Sequence, residues 1–312
     1  MKRWVLNAGR GSALLAFVLL FSAGPAAAGE VVSAGDPALT ELRVLGDRLF
    51  VTARLNGLQT GDALLDSGAE LSLVDSLFAE RAGLAAAGSE TARGTGGEEE
   101  VSFAQGVSIE AAGIRLDDRA VAVLDLQFIA ERVVGAPLAM VVGRELFDAT
   151  RLVVDIEHGR IGPVGRESEP PGVRLDMQTH KGLQTIPVSV EGGAPVQADF
   201  DLGNGSEVLV GAAYAEARGL TAPERIIGQK TGGGIGGEVV RDLVLLKELE
   251  VAGVTFRDVP AAIDRTDNAA DLNIGVRILR KFRITADFAE NLVWLEPAAA
   301  PRAADVSAET PE

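Results

Sequence analysis

The chain has 312 residues, with 29 lysines and arginines against 45 aspartates and glutamates for a net charge of −16, two histidines and no cysteine. That balance argues against nucleic acid and anionic membrane surfaces as partners, and the missing thiol excludes a disulfide framework, a cysteine nucleophile and a lipidated cysteine. His158 and His180 stand far apart without ligand-like companions, which speaks against a zinc site.

At the N-terminus Lys2, Arg3 and Arg10 accompany an apolar run from Ala13 to Phe21, followed by Ala26-Ala27-Ala28 and Gly29. A basic start, a short apolar middle and small residues at the exit describe a signal peptide over 1–28, cleaved near Ala28. The run is short for a membrane span, so a retained anchor is the alternative and no stable membrane insertion is expected after cleavage. The mature chain is then exported, periplasmic or secreted, and loss of three basic residues takes its charge to −19. Residues 29–42 form a leader that either covers a cleft or hangs loose.

The next marked stretch is Ala63 to Val74, where an apolar run delivers Asp66 onto a turn with Ser67, Gly68 and Ala69, and a second apolar run leaves it. Such a turn presents a carboxylate, and its significance depends on a partner elsewhere. Internal similarity supplies one. Val141-Val142-Gly143 through Asp155 matches Asn273-Ile274-Gly275 through Asp287 at an offset of 132, and Ala112-Gly113 matches Ala252-Gly253 at 140. Carrying the register back places Asp66 opposite Asp201, at 135, in Asp201-Leu202-Gly203-Asn204-Gly205.

Runs of Val, Ile, Leu and Phe broken by Gly, Asp and Asn predict mostly β structure. Few short helices are expected: Asp75 to Arg81, Ala212 to Arg218, and the turns after Gly143 and Gly275. The proline- and glycine-bearing stretch Arg160 to Pro171 reads as the connection between halves, with the linker proper at 165–172. The halves are then 43–164 and 173–297, and 298–312, rich in alanine, proline and acid, reads as a disordered tail. Asp155 and Asp287 read as strand-end turn formers, and Asp264, Asp267 and Asp271 as a solvated loop without calcium-loop spacing. Gly232, Gly234 and Gly237 have dinucleotide-like spacing but no parallel-sheet context, so a hairpin explains them better.

Taken together, the Leu-Leu-Asp66-Ser67-Gly68-Ala69 turn, a glycine-rich segment and the later Val-Val-Gly143 step resemble the retropepsin-like aspartic proteases, in a tandem two-lobed bacterial form. The resemblance implies two homologous acid-protease-like β-barrel lobes in one chain, a monomer about a pseudo-two-fold axis. It further implies a catalytic pair Asp66 and Asp201, with Ser67, Gly68, Ala69 and Gly203 supporting it. Flaps would be built from Gly94, Gly96 and Gly97 and from Gly232, Gly233, Gly234, Gly236 and Gly237. The implied activity is hydrolysis of peptide or protein substrates with no cofactor and no metal. Two carboxylates sharing a water cannot both ionise cheaply, so one activates the water and the other donates a proton. Ser67 is placed to hydrogen-bond across the base of the site.

The second turn departs from the family pattern. Leu202 stands in place of a hydroxyl residue, and Asn204-Gly205 replaces a small residue, which leaves the turn's shape open. A peptide-binding module with the same cleft and weak or no chemistry is the alternative function. Pairing of two first lobes from separate chains, using Asp66 twice, is a third arrangement.

Overall fold

The computed structural model describes residues 39–94, 97–267 and 269–298; the expected signal peptide, most of the tail and Gly96 lie outside them. Eleven strands precede the linker: β1 (Thr40–Glu41), β2 (Arg43–Leu45), β3 (Arg48–Leu55), β4 (Leu58–Leu65), β5 (Leu73–Asp75), β6 (Ala87–Gly94), β7 (Gly97–Ala111), β8 (Ile114–Leu124), β9 (Met140–Val142), β10 (Leu152–Asp155) and β11 (Arg160–Pro163). Eleven follow it: β12 (Val173–Asp176), β13 (Gln178–His180), β14 (Leu183–Val190), β15 (Val196–Phe200), β16 (Val208–Gly211), β17 (Ile226–Gly234), β18 (Gly237–Val251), β19 (Val254–Asp264), β20 (Leu272–Ile274), β21 (Phe282–Asp287) and β22 (Leu292–Pro297).

Alternation builds these strands. In β14, Ile186, Val188 and Val190 are buried while the residues between them are not, the period of a sheet with one covered face. Two-residue hairpins set the register: Ala112-Gly113 joins β7 to β8 and Ala252-Gly253 joins β18 to β19, all four residues at positive φ. That backbone twist matches the twist of the flanking strands.

The strands form two eight-stranded sheets of identical order, β2-β3-β4-β9-β5-β8-β7-β6 and β13-β14-β15-β20-β16-β19-β18-β17. The fold is thus mostly β in two lobes, as the sequence leads one to expect. A third sheet, β1-β11-β10-β21-β22-β12, draws strands from both lobes, and at its centre β10 runs antiparallel to β21.

The four short α-helices are α1 (Ser76–Arg81), α2 (Glu145–Ala149), α3 (Ala212–Ala217) and α4 (Val276–Leu279), within about a residue of the expected places. Asp75 caps α1 by accepting from the Phe78 N–H at 3.1 Å. A π-helical stretch, Ile129–Val134, was not anticipated from the sequence.

Three expectations need correction. The connection between lobes starts later than Arg160, because Arg160–Pro163 is a strand paired to both β10 and β1. The expected leader is no loose segment at its end: Thr40–Glu41 pairs with β11, and Leu42 is buried. Asp264 does not belong to a solvated loop; it ends β19, buried, 3.5 Å from Arg241. Its partner is remote in sequence, so nothing local announces the pairing.

Asp287 does end a strand, but it is more than a turn former. Fully buried, it takes Arg151 of the first lobe at 3.1 Å and Arg166 of the linker through two bonds of 2.7 Å. Between the lobes Phe147 stacks on Phe288 at 5.0 Å, and Phe200 meets Phe288 edge-on at 6.3 Å. This aromatic cluster adjoins the second aspartate turn, since Phe200 precedes Asp201.

Candidate active site

Each aspartate leaves the end of a central strand and is held by the same backbone pattern. The Asp66 N–H donates to the Val142 carbonyl at 2.9 Å, and the Asp201 N–H to the Ile274 carbonyl at 3.1 Å. The inner oxygen of Asp66 accepts from the N–H groups of Gly68 and Ala69 at 2.8 and 3.1 Å; that of Asp201 accepts from Gly203 and Asn204 at the same two distances. The Asn204-Gly205 departure therefore leaves the shape of the turn intact. Such donors favour and orient a carboxylate.

The two turns face each other across the lobe boundary. A Cβ built on Gly68 would lie 3.1 Å from Asp201 Oδ1 and 3.2 Å from Asp66 Oδ1, and one built on Gly203 would overlap the Asp66 carboxyl itself. Glycine is required at 203 because the opposing acid fills the space of a side chain, whereas at 68 a side chain would press on both acids. Burial first, and the Asp201 carboxylate second, push the Asp66 carboxyl up to about 7, against the Gly68 and Ala69 N–H groups and Arg48. A carboxyl beside a like charge in a poorly solvated site retains its proton.

Below the acids, the buried Ser67 hydroxyl donates to the Phe200 carbonyl at 3.0 Å and accepts the Leu202 N–H at 2.9 Å. The reverse bridge is missing, since Leu202 offers only a buried apolar side chain. Asn204 is not idle: its amide donates to Asn273 Oδ1 at 2.8 Å, and the Asn273 amide donates to Asp201 Oδ2 at 2.8 Å. Among the described residues no side chain hydrogen-bonds the outer oxygen of Asp66, so the two acids are held unequally.

The hairpin before each aspartate strand reaches to the opposite lobe. Arg48, at the start of β3, donates to the Gly203 carbonyl at 2.8 Å and to the Val133 carbonyl at 3.1 Å, bringing a cation beside both acids. Its neighbour Asp47 pairs with Arg280 at 2.6 Å and Arg277 at 3.2 Å. Reciprocally, the turn before β14 brings the Gly182 carbonyl to the Arg144 guanidinium.

The pairs β6–β7 and β17–β18 form the two glycine-rich hairpins. Gly94 pairs with Gly97, Gly234 pairs with Gly237, and Gly232 and Gly233 stand on the arm opposite Val239 and Glu238. The tips meet: a Cβ on Gly236 would overlap the Gly97 backbone. Ile235, beside that tip, packs on an apolar cluster of the first lobe that contains Leu64 and Ile129.

The structure thus brings Asp66, Ser67, Gly68, Ala69, Asp201 and Gly203 together at the lobe boundary and sets the two hairpin tips against each other. Three further residues belong with them and escaped the sequence reading. Asn273 and Asp199 had a visible sign, each being polar where the first half has Val141 and Leu64. Arg48 had none, because its place follows from a hairpin docking on the other lobe. Among the described residues no cluster of His, Cys, Asp and Glu could hold a metal ion.

Residues 51–146 match the family model for aspartyl proteases. That span carries the Asp66 turn, the first glycine-rich hairpin and the Val141-Val142-Gly143 step, so the resemblance to retropepsin-like aspartic proteases is met over the first lobe. Among solved structures, Basic 7S globulin from soybean is similar over 81% of this chain and 92% of its own, at 8% identity and a TM-score of 0.50. A retropepsin-like aspartic protease from Rickettsia conorii is similar over 39% of this chain and 88% of its own, at 17% identity and a TM-score of 0.33. No curated protein sequence matches the chain. The likeness to the globulin shows a shared two-lobed β fold, and the match to the aspartyl protease model covers residues 51–146.

Proposed function

We propose that the chain is an exported aspartic endopeptidase that hydrolyses peptide or protein substrates with a water held between Asp66 and Asp201. The observation that carries this reading is the pairing of two turns with equal hydrogen-bond geometry, each glycine seated against the opposing carboxyl. The amide of Asn273 aimed at Asp201 Oδ2 suits a carboxylate there, and the raised Asp66 suits a proton donor.

Asp201 takes a proton from the water while the water oxygen bonds to the peptide carbonyl carbon, and Asp66 gives its proton to the carbonyl oxygen. The resulting tetrahedral diol collapses as its hydroxyl proton returns to Asp66, the proton on Asp201 passes to the amide nitrogen, and the C–N bond breaks. Arg48 offsets the negative charge of the pair, and the hairpins hold an extended substrate over the acids.

The second reading is a peptide-binding module with little or no turnover, and the one-sided Ser67 bridge favours it. Hydrolysis of an unstructured protein substrate, its block by a statine-type inhibitor and its loss in Asp66→Asn and Asp201→Asn test the first reading. Peptide binding with no turnover from pH 3 to pH 8, or turnover equal to wild type in either variant, would sink it.

A further inference from the structure

The identical order of the two lobe sheets lets their cleft faces be compared place by place. Beside Asp66, Phe50 pairs with Leu64 and Leu64 with Val141, with Val101 and Leu124 in the same buried apolar cluster. Beside Asp201, the same ladder positions read Thr185 with Asp199 and Asp199 with Asn273, with Arg241 and Asp264 at the places of Val101 and Leu124. The packing beside Asp66 is buried hydrocarbon, and the packing beside Asp201 is polar at every one of these positions.

Burying that much polarity is costly unless it is paired or has a ligand to meet. Most of it is paired. Asp264 accepts from the Thr266 N–H and hydroxyl at 3.1 and 3.0 Å and faces Arg241, whose guanidinium lies beneath Gly232 of the hairpin. Thr185 donates to Gln197 at 2.9 Å. Asp199 is the exception: it is 7% exposed, two residues before Asp201 on the same strand face, and its Oδ1 has no hydrogen-bond partner among the described residues. Burial first and Asp201 second raise its carboxyl to about 7, with Lys181 pulling the other way. Asp264 is set against Arg241, whereas Asp199 makes no ion pair in contact among the described residues and feels Lys181 only as a more distant charge.

We propose that the cleft is divided chemically, so that a substrate peptide places an apolar side chain against Leu64 and Val141 and a lysine or arginine side chain against Asp199. The inference rests on the peptidase reading of the Asp66–Asp201 pair, and it adds the substrate class: extended segments with one apolar and one basic residue flanking the scissile bond. A cation within reach satisfies the orphaned oxygen and restores the carboxylate, whereas an apolar side chain leaves it buried and alone. The acidic balance of the whole chain favours the same substrates by attraction at longer range.

The test uses the full chain and two peptides that differ only by lysine or norleucine at one position beside the scissile bond. Wild type should prefer the lysine peptide on the order of tenfold in kcat/KM, mainly through KM, as expected for one charge-assisted contact. Asp199→Asn, nearly isosteric, and Asp199→Leu, the first lobe's residue, should each bring that ratio close to one. Equal cleavage of the two peptides by wild type, or a preference that survives Asp199→Leu, overturns the proposal. Should neither peptide be cut, fluorescence anisotropy of the labelled peptides decides. Lysine-selective binding lost in Asp199→Asn upholds the divided cleft while the peptidase reading fails, and binding that ignores the lysine overturns it.

Discussion

The Ser67 hydroxyl in one lobe accepts the Leu202 backbone N–H of the other at 2.9 Å while donating to the Phe200 carbonyl at 3.0 Å. A single side chain therefore satisfies two buried backbone groups of the second turn, and no second hydroxyl shares the task. Ser67→Ala leaves both without their partner and should cost about 1–3 kcal/mol in urea unfolding, the penalty of unmet buried polar groups. Leu202→Ala instead opens a cavity with the bridge intact, so it should lower stability by about 2–5 kcal/mol but disturb turnover less than Ser67→Ala does.

The two glycines beside the acids are unequal. A methyl group at Gly203 overlaps the Asp66 carboxyl, while one at Gly68 makes a contact of 3.1 Å with Asp201 Oδ1. Gly203→Ala should reduce kcat/KM by about 100-fold or more, because it displaces Asp66 from the position that the proposed reaction requires. Gly68→Ala should retain measurable activity. Peptide hydrolysis by the two purified variants makes the comparison.

A carboxyl raised to about 7 sets two pH effects of definite sign. The folded chain holds a proton on Asp66 that the unfolded chain releases near pH 4, so stability falls as pH rises from about 4 to about 7 and then levels off. Asp66→Asn removes this loss and should be more stable than wild type at pH 8 by on the order of 1 kcal/mol, or about 2–4 °C in Tm. In the proposed reaction Asp66 donates that same proton, so kcat/KM should decline above about pH 7.

Asp287 supports the opposite slope. Burial acts to raise its carboxyl, but Arg166 and then Arg151 outweigh burial and hold it below the usual carboxylate range. Its contribution is present above the ordinary aspartate value and is lost as pH falls through the depressed one. Asp287→Ala strands Arg151 in the interior and should cost about 3–5 kcal/mol by denaturant unfolding. The Asp47–Arg280 pair also joins the lobes, but at the surface, and Asp47→Ala should cost about 1 kcal/mol or less.

How far the sequence could be read depends on the range of the interactions that decide each part. Strands, the four short helices and the Asp66 turn are set by alternation, capping and turn residues within a few positions, and they are legible there. The docking of Arg48 on Gly203 joins residues 155 apart, and no local pattern encodes it. Composition misled at Arg160–Pro163, where proline and glycine suggested a loop, but Pro163 closes a strand beside Leu152. Polar residues within an apolar strand, Asp199 above all, carried information that turn and motif reading passed over.

The antiparallel pair Leu152–Asp155 and Phe282–Asp287 at the centre of the shared sheet lies within one chain. Bringing Asp66 to Asp201 is therefore a unimolecular step, governed by the effective concentration of two tethered lobes and not by how much protein is in solution. Dilution to nanomolar levels leaves such a site assembled, where a site shared by two separate chains would come apart.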